Sequence, residues 1–305
     1  MSKIEKPIEI DVHILERIFS NRDGGKDTFT IMKNTDIDYI DYVDYEIIWS
    51  DKNGQQYTCS TLLFYDDHIY CKYLNKCGNN SGNMMLKKLD EIPTVMPNVK
   101  YIKLIDESTI IFKFREIEII PLSILKILSS GKSWYNSYGY ISENYKNEIK
   151  HNAGFLDMNC IDFLNLVNQK RQPEYDAAIA EINKTYTIHK DSRNRNIYTR
   201  KATGDIINYT PTPSCGNIMI DIDVGIRLGL VPESENVKEW CKGINFILTF
   251  IQNIKQDRSM SDIVIWIGKT MTLISDSHIL QYDIHLKKRF DTKSKSSSSK
   301  QKTTP

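Results

Sequence analysis

Residues 45–65, YEIIWSDKNGQQYTCSTLLFY, read as two strands around a tight turn. Tyr45–Ser50 and Tyr57–Tyr65 are rich in β-branched and aromatic residues, and Asn53-Gly54 between them tolerates the positive φ that a two-residue hairpin requires. His68–Leu74 adds a third strand after an Asp66-Asp67 turn. Further on, VKYIKLI (99–105) and TIIFKF (109–114) flank Asp106-Glu107-Ser108 and predict a second hairpin. Both hairpins alternate apolar and polar residues, so each strand has one buried face and one wet face.

Helices take over at Pro121, which suits a first helical turn. Leu122, Ile124, Leu125, Ile127 and Leu128 face the core, and Gly131 fits the stop position after the helix. Helical spacing continues in Glu143–Lys150, Cys160–Gln169 and Pro173–Asn183, the last with Tyr175, Ala178, Ile179 and Ile182 on one face. About Glu235–Lys255, an unbroken stripe of Val237, Trp240, Cys241, Ile244, Ile247, Leu248, Ile251 and Ile254 predicts the clearest amphipathic helix. Glu233 and Glu235 at its start and Lys255 at its end complement the helix dipole.

Beyond it, Ile263–Ile267, Met271–Ile274 and Ile279–Leu286 read as three short strands of a meander. The expected class is α+β: a mixed sheet with hairpins and packed helices, a smaller helix-plus-meander domain, and a disordered tail. The boundaries follow as an N-terminal segment at 1–42, an α+β domain at 43–190, a polar connector at 191–216, the smaller domain at 217–290, and a low-complexity basic tail at 291–305.

A net charge of +1 over 305 residues supplies no global field toward nucleic acid or membrane. Local asymmetry is concentrated at the end, where Lys287, Lys288, Arg289, Lys293, Lys295, Lys300 and Lys302 meet only Asp291. Isoleucine outnumbers alanine 44 to 5, the skew of an AT-rich coding sequence. No window has the ~18 uncharged apolar residues of a membrane span, and the start lacks the apolar run of a secretory signal. Cys59, Cys71, Cys77, Cys160, Cys215 and Cys241 are therefore expected as free thiols in a reducing, intracellular setting.

Gly131-Lys132-Ser133 resembles the end of a phosphate-binding loop, but the motif needs a glycine where Lys126 stands. Its order is also inverted, since Gly131 ends a helix instead of leading into one. Cys59, His68, Cys71 and Cys77 lack paired metal-ligand spacing, and alternation sends His68 and Cys71 to opposite faces of their strand. The acidic run DIDYIDYVDYE lacks the glycine-centred loop of a calcium site and reads as a connector into a strand. The six histidines are dispersed, no G-x-S-x-G elbow is present, and neither metal nor cofactor is expected.

Trp134, Tyr135, Asn136, Tyr138 and Tyr140, interleaved with Lys132 and followed by Lys146, form the densest aromatic segment. Such a set can stack bases while its cations meet phosphates, the pattern of a weak single-stranded nucleic-acid binder. The alternative is structural: Trp134 and Tyr135 pin helix 121–130 onto the sheet, and Gly139 allows a tight turn.

The run IPLSILKILSSGKSWYNSYGYISENYKNEIKHN, with VKYIKLIDESTIIF upstream, resembles uncharacterised proteins of amoebal giant DNA viruses, mimivirus-like ones especially. The resemblance covers residues 43–165 and implies a viral protein of the infected cytoplasm or the particle. The leading expectation is a non-enzymatic interaction or scaffold protein of such a virus with a protein partner; composition adds no membrane, and the charge of the basic tail adds nucleic-acid contact there. Trp134-Tyr135 through Gly139-Tyr140 also resembles the last motif of GNAT acetyltransferases, which implies an acyltransferase-like alternative. That family's acetyl-CoA loop is absent from this chain.

Overall fold

The computed structural model describes residues 6–19, 28–35, 43–51, 53–74, 82–114, 116–190, 196–207, 218–253 and 260–290. In chain order these form α1 (Val12–Phe19), β1 (Thr28–Thr35), β2 (Val43–Ser50), β3 (Gln56–Phe64), β4 (His68–Leu74), α2 (Gly82–Val95) and β5 (Tyr101–Ile105). Next come β6 (Thr109–Phe114), β7 (Glu116–Pro121), α3 (Leu122–Ser130), α4 (Tyr145–Leu156), α5 (Cys160–Thr185), β8 (Tyr186–Lys190), β9 (Asn196–Arg200) and β10 (Ile206–Ile207). The chain continues with α6 (Ile222–Arg227), α7 (Val237–Asn253), α8 (Ser261–Asp276) and β11 (His285–Arg289). The class is α+β: a six-strand mixed sheet, packed helices and two small antiparallel sheets.

Two compact units divide the chain, and neither is contiguous. The sheet unit comprises Met1–Asp106, Tyr138–Glu143 and Ile284–Pro305; the helical unit comprises Glu107–Ser137 and Asn144–Asp283. The stretches 43–190 and 217–290 read from sequence do not coincide with them.

In the sheet unit the order is β1-β2-β3-β4-β5-β11. The β2–β3 hairpin forms where Asn53-Gly54 placed it. Asp51 Oδ1 accepts the backbone N–H groups of Asn53 and Gln55 at 2.8 and 2.9 Å, and Gly54 takes φ +79°. Parallel pairing of β4 with β5 demands a crossover, and α2 in residues 75–98, unassigned from sequence, supplies it. Its Met85, Leu86, Leu89 and Ile92 recur at helical spacing and are fully buried. Lys88 Nζ donates to the terminal carbonyls of α1 at Ile18 and Phe19 (3.0 and 3.4 Å), tying the two helices together. Within the N-terminal segment 1–42, α1 and β1 belong to this unit. Part of the acidic run, residues 36–42, lies outside the described residues.

The second hairpin is not formed. β5 pairs with β4 and β11, whereas β6 pairs with β7 in a separate two-strand sheet. β5 alternates as expected, but alternation identifies a face and not a neighbour.

In the helical unit, buried side chains of α3, α5, α7 and α8 make one core. Gly131 ends α3 with φ +79° and donates its N–H to the Ile127 carbonyl at 2.7 Å. The α7 stripe is buried at Val237, Trp240, Cys241, Ile244, Leu248 and Ile251. Trp240 Nε1 donates to the Leu230 carbonyl at 2.7 Å, which satisfies the one polar atom of a ring packed in the core. The two helical patterns around Pro173 are one helix, α5, capped by Asn159, whose side chain accepts the N–H groups of Ile161 and Asp162.

The expected meander is corrected. Residues 261–276 form α8, in which Val264, Ile267, Gly268, Met271 and Ile274 are buried at spacings of three and four. Trp266, Thr270 and Leu273 are buried too, so apolar contact extends well round the helix, and such a run mimics consecutive buried strands. Of the third expected strand, 285–286 belong to β11 of the other unit. The connector at 191–216 also holds structure, since β9 and β10 join β8 in a three-strand sheet over Ile182. The basic tail at 291–305 lies outside the described residues.

Cys71, Cys160 and Cys241 are free and buried. Cys59 is disulfide-bonded, which corrects the all-thiol expectation: spacing in one sequence does not reveal which cysteines a fold brings together. Burial pushes the Cys71 thiol up to about 12 from 9.0, a hydrogen bond with Ser60 opposing it.

Two outcomes follow from this packing. A Cβ at Gly225 in α6 meets Val231 Cγ2 at 2.7 Å and Trp266 Cε2 at 2.8 Å. Gly225→Ala is expected to lower stability by about 1–3 kcal/mol through overpacking, read as a lower urea midpoint. A raised thiol pKa means the folded state retains a proton that the unfolded state releases. The contribution of Cys71 is therefore intact below pH 9.0 and falls as pH rises toward about 12. A Cys71→Ala variant should show a shallower alkaline loss of melting temperature.

Candidate functional site

The register of the six-strand sheet sorts its side chains onto two faces. One carries Tyr45, Phe64, Ile69, Ile102 and Leu104, all buried. Both helices of the unit lie on this side: Phe19 of α1 meets Phe29 at 6.5 Å between ring centroids, and Asp90 of α2 meets Lys288. Asp90 holds a three-part clasp. Tyr140 Oη donates to its Oδ1 at 3.0 Å, and Lys288 Nζ donates to its Oδ2 at 2.6 Å while lying 5.5 Å over the Tyr140 ring.

The opposite face carries no helix of this unit among the described residues. Its chemistry is arranged in two rows that cross β4, β5 and β11 in register. His68, Tyr101 and Arg289 make one row; Tyr70, Lys103 and Lys287 make the other. Within the first, His68 is stacked between Tyr65 and Tyr101, with centroids 4.5 and 4.8 Å away and planes within 7° of parallel. The Lys103 ammonium lies 5.4 Å over the Tyr101 ring. Tyr73, paired with Thr61, borders the rows and is 37% exposed.

Cations outnumber anions on this part of the face. Lys103, Lys287 and Arg289, with Lys100 just before β5, face the carboxylates of Asp67 and Glu143. The Asp67 carboxyl sits below its usual range, first because His68 Nδ1 donates to it at 3.0 Å and further through the charges of His68, Lys100 and Lys103. The Glu143 carboxyl is lowered by the hydrogen bond and charge of Lys287 and by Arg289. Glu143 is itself largely exposed, and its 3.0 Å pair with Lys287 is a solvent-facing contact of small energetic weight.

The aromatic segment singled out from sequence is divided. Lys132, Trp134, Tyr135 and Asn136 belong to the helical unit, as does Lys146 on α4; Tyr138 and Tyr140 belong to the sheet unit. Tyr135 is buried and Trp134 half-buried, their rings meeting edge to face at 4.8 Å. Asn136 Oδ1 accepts the Ser133 N–H at 2.9 Å, which shapes the turn after α3. Gly139 has the positive φ, +85°, expected of a tight turn. Tyr140 is wholly buried in the clasp, and Lys132 and Lys146 are exposed. His68 and Cys71 do lie on opposite faces of β4.

The rows on the sheet were missed because their residues come from three strands far apart in sequence. The signal was present in HIYCKY, YIKLI and HLKKR, each of which places aromatics or cations at alternate positions. Only the pairing of β5 with β11 reveals that these alternations share a face.

Removing the Tyr140 hydroxyl tests the clasp. Tyr140→Phe keeps the buried ring but leaves Asp90 with Lys288 alone, and is expected to cost about 1.5 kcal/mol in chemical denaturation. No loss would show that the hydroxyl bond is not part of the stabilising contact.

No helix among the described residues is long and apolar enough to cross a membrane. Comparison of the chain with protein-family models, with curated proteins and with solved structures finds no match.

Proposed function

We propose that the protein is a non-enzymatic interaction protein whose partner is nucleic acid, bound on the face of the six-strand sheet opposite α1 and α2. The observation that carries this reading is the pair of in-register rows, in which rings on β4 give way to cations on β11, with one of each on β5. Cations in this spacing neutralise phosphates. This reading moves the nucleic-acid contact expected of Trp134 and its neighbours to a different surface. The resemblance of residues 43–165 to proteins of amoebal giant DNA viruses supports a setting in the infected cytoplasm or the particle.

Fluorescence anisotropy with labelled oligonucleotides at low salt tests the location. The triple variant Lys103→Ala, Lys287→Ala, Arg289→Ala is expected to weaken binding on the order of tenfold or more, with its thermal transition retained. Truncation of residues 291–305 should have the smaller effect. Full loss on truncation with no effect of the triple variant would transfer the contact to the basic tail, and absence of binding to any nucleic acid would overturn the proposal.

A further inference from the structure

We infer that the Glu143 carboxylate occupies a phosphate position on this face, and that nucleic acid binds there through its backbone by displacing Glu143 from Lys287. The subsite consists of Lys287, Arg289 and Lys103. The inference rests on the nucleic-acid reading above and adds the group recognised and the internal contact that restrains recognition.

The spacing comes from β11. Lys287 and Arg289 are alternate residues of one strand, so both lie on the face opposite α1 and α2, about 6.8 Å apart along the strand. That interval is on the scale of one nucleotide step along a sugar-phosphate backbone. Lys103 is the register partner of Lys287 and sets a further cation beside it.

Glu143 reaches the same point from the outer side of β11. Ile141 donates its N–H to the Lys287 carbonyl, and Lys287 donates its N–H to the Ile141 carbonyl, each at 3.0 Å. The backbone thereby pins this segment to the strand. Two residues on, Glu143 Oε1 accepts from Lys287 Nζ at 3.0 Å. The hydrogen bond and charge of Lys287 hold the Glu143 carboxyl below its usual range, and the charge of Arg289 adds to the effect. An oxyanion is therefore already stationed where the cations of β11 converge.

The neighbouring lysine shows why this contact is exchangeable. Lys288, on the other face, meets Asp90 at 2.6 Å with both side chains 24% exposed, and Tyr140 completes that clasp. Glu143, by contrast, is 82% exposed. Its pair with Lys287 is screened by solvent and of small weight, so another oxyanion replaces it at little cost. Carboxylate and phosphate both accept charge-assisted hydrogen bonds from an ammonium. A phosphodiester chain presents its charges in series and engages Lys287 and Arg289 together. Such contacts carry no base information, so single strands and duplexes should both bind, without sequence preference.

The test is a double-mutant cycle on the full chain, read by anisotropy with a labelled oligonucleotide. Glu143→Gln is expected to tighten binding about twofold to fivefold at low salt, the weight of an exposed ion pair. It should also steepen the plot of log affinity against log salt by about 0.7 to 0.9, the value of one phosphate contact. In a Lys287→Gln background the gain should vanish, because Glu143 then restrains nothing. Glu181→Gln breaks a comparable exposed pair with Lys184 in the helical unit and changes net charge equally; it should leave binding unchanged. Thermal melts verify the fold of each variant. A gain from Glu181→Gln as large as that from Glu143→Gln, or one that persists without Lys287, overturns the subsite while leaving charge-based nucleic-acid binding in place. The same holds if the wild type binds and Glu143→Gln binds no better. Tighter binding of inorganic polyphosphate than of an oligonucleotide with as many phosphates keeps the subsite and overturns nucleic acid as its partner. Failure of every variant to bind either polymer overturns both.

Discussion

The pairing of β11 with β5 is the constraint on which the sheet unit depends. Lys288 and Asp90 are 198 positions apart, yet their 2.6 Å contact fastens the last strand to the crossover helix α2. On the same strand, Leu286 is buried beside Leu104. Backbone bonds in both directions between Lys287 and Ile141 bring the 138–143 segment to the outer side of β11. Tyr140, from that segment, then completes the clasp on Asp90. Without β11, β5 becomes an edge strand with unpaired backbone groups, and Asp90 loses its cation.

The same pairing sets the proposed surface. β4 brings rings, β11 brings cations, and β5 brings one of each. A one-residue slip of β11 would turn Lys287 and Arg289 to the helix-covered side and Lys288 to the other. The apolar Leu286, between the polar His285 and Lys287, fixes the register against this slip. Core packing on one face thereby determines the order of charges on the other.

Local chemistry made much of the fold legible. Gly54 specifies its hairpin because one turn position needs positive φ, and Gly131 specifies the end of α3 for the same reason. The α7 stripe is readable because one side of the helix is wet: Phe246 and Phe250 are exposed opposite the buried residues. α8 was misread because it has much less wet surface, so its period is lost among apolar neighbours. α2 and the partner of β5 escaped detection for another reason. A parallel pair and a strand returning from the far end of the chain are long-range choices, and alternation does not encode them. The candidate site inherits this difficulty, as no single stretch contains both of its rows. The aromatic density at 134–140 is conspicuous in the sequence, yet it serves a helix end, a glycine turn and a buried hydroxyl.

The discontinuous sheet has a consequence for biosynthesis. β5 leaves the ribosome before the whole of Asn144–Asp283 has been translated, and β11 follows only afterwards. At about 5–20 residues per second, the nascent sheet carries a bare edge for on the order of ten seconds or more. During that interval a neighbouring nascent chain on the same messenger presents its own unpaired β5 or a free β11. Closure of the sheet therefore waits on synthesis of the helical unit, and the β5 edge is the part of the nascent chain open to wrong strand pairing until then.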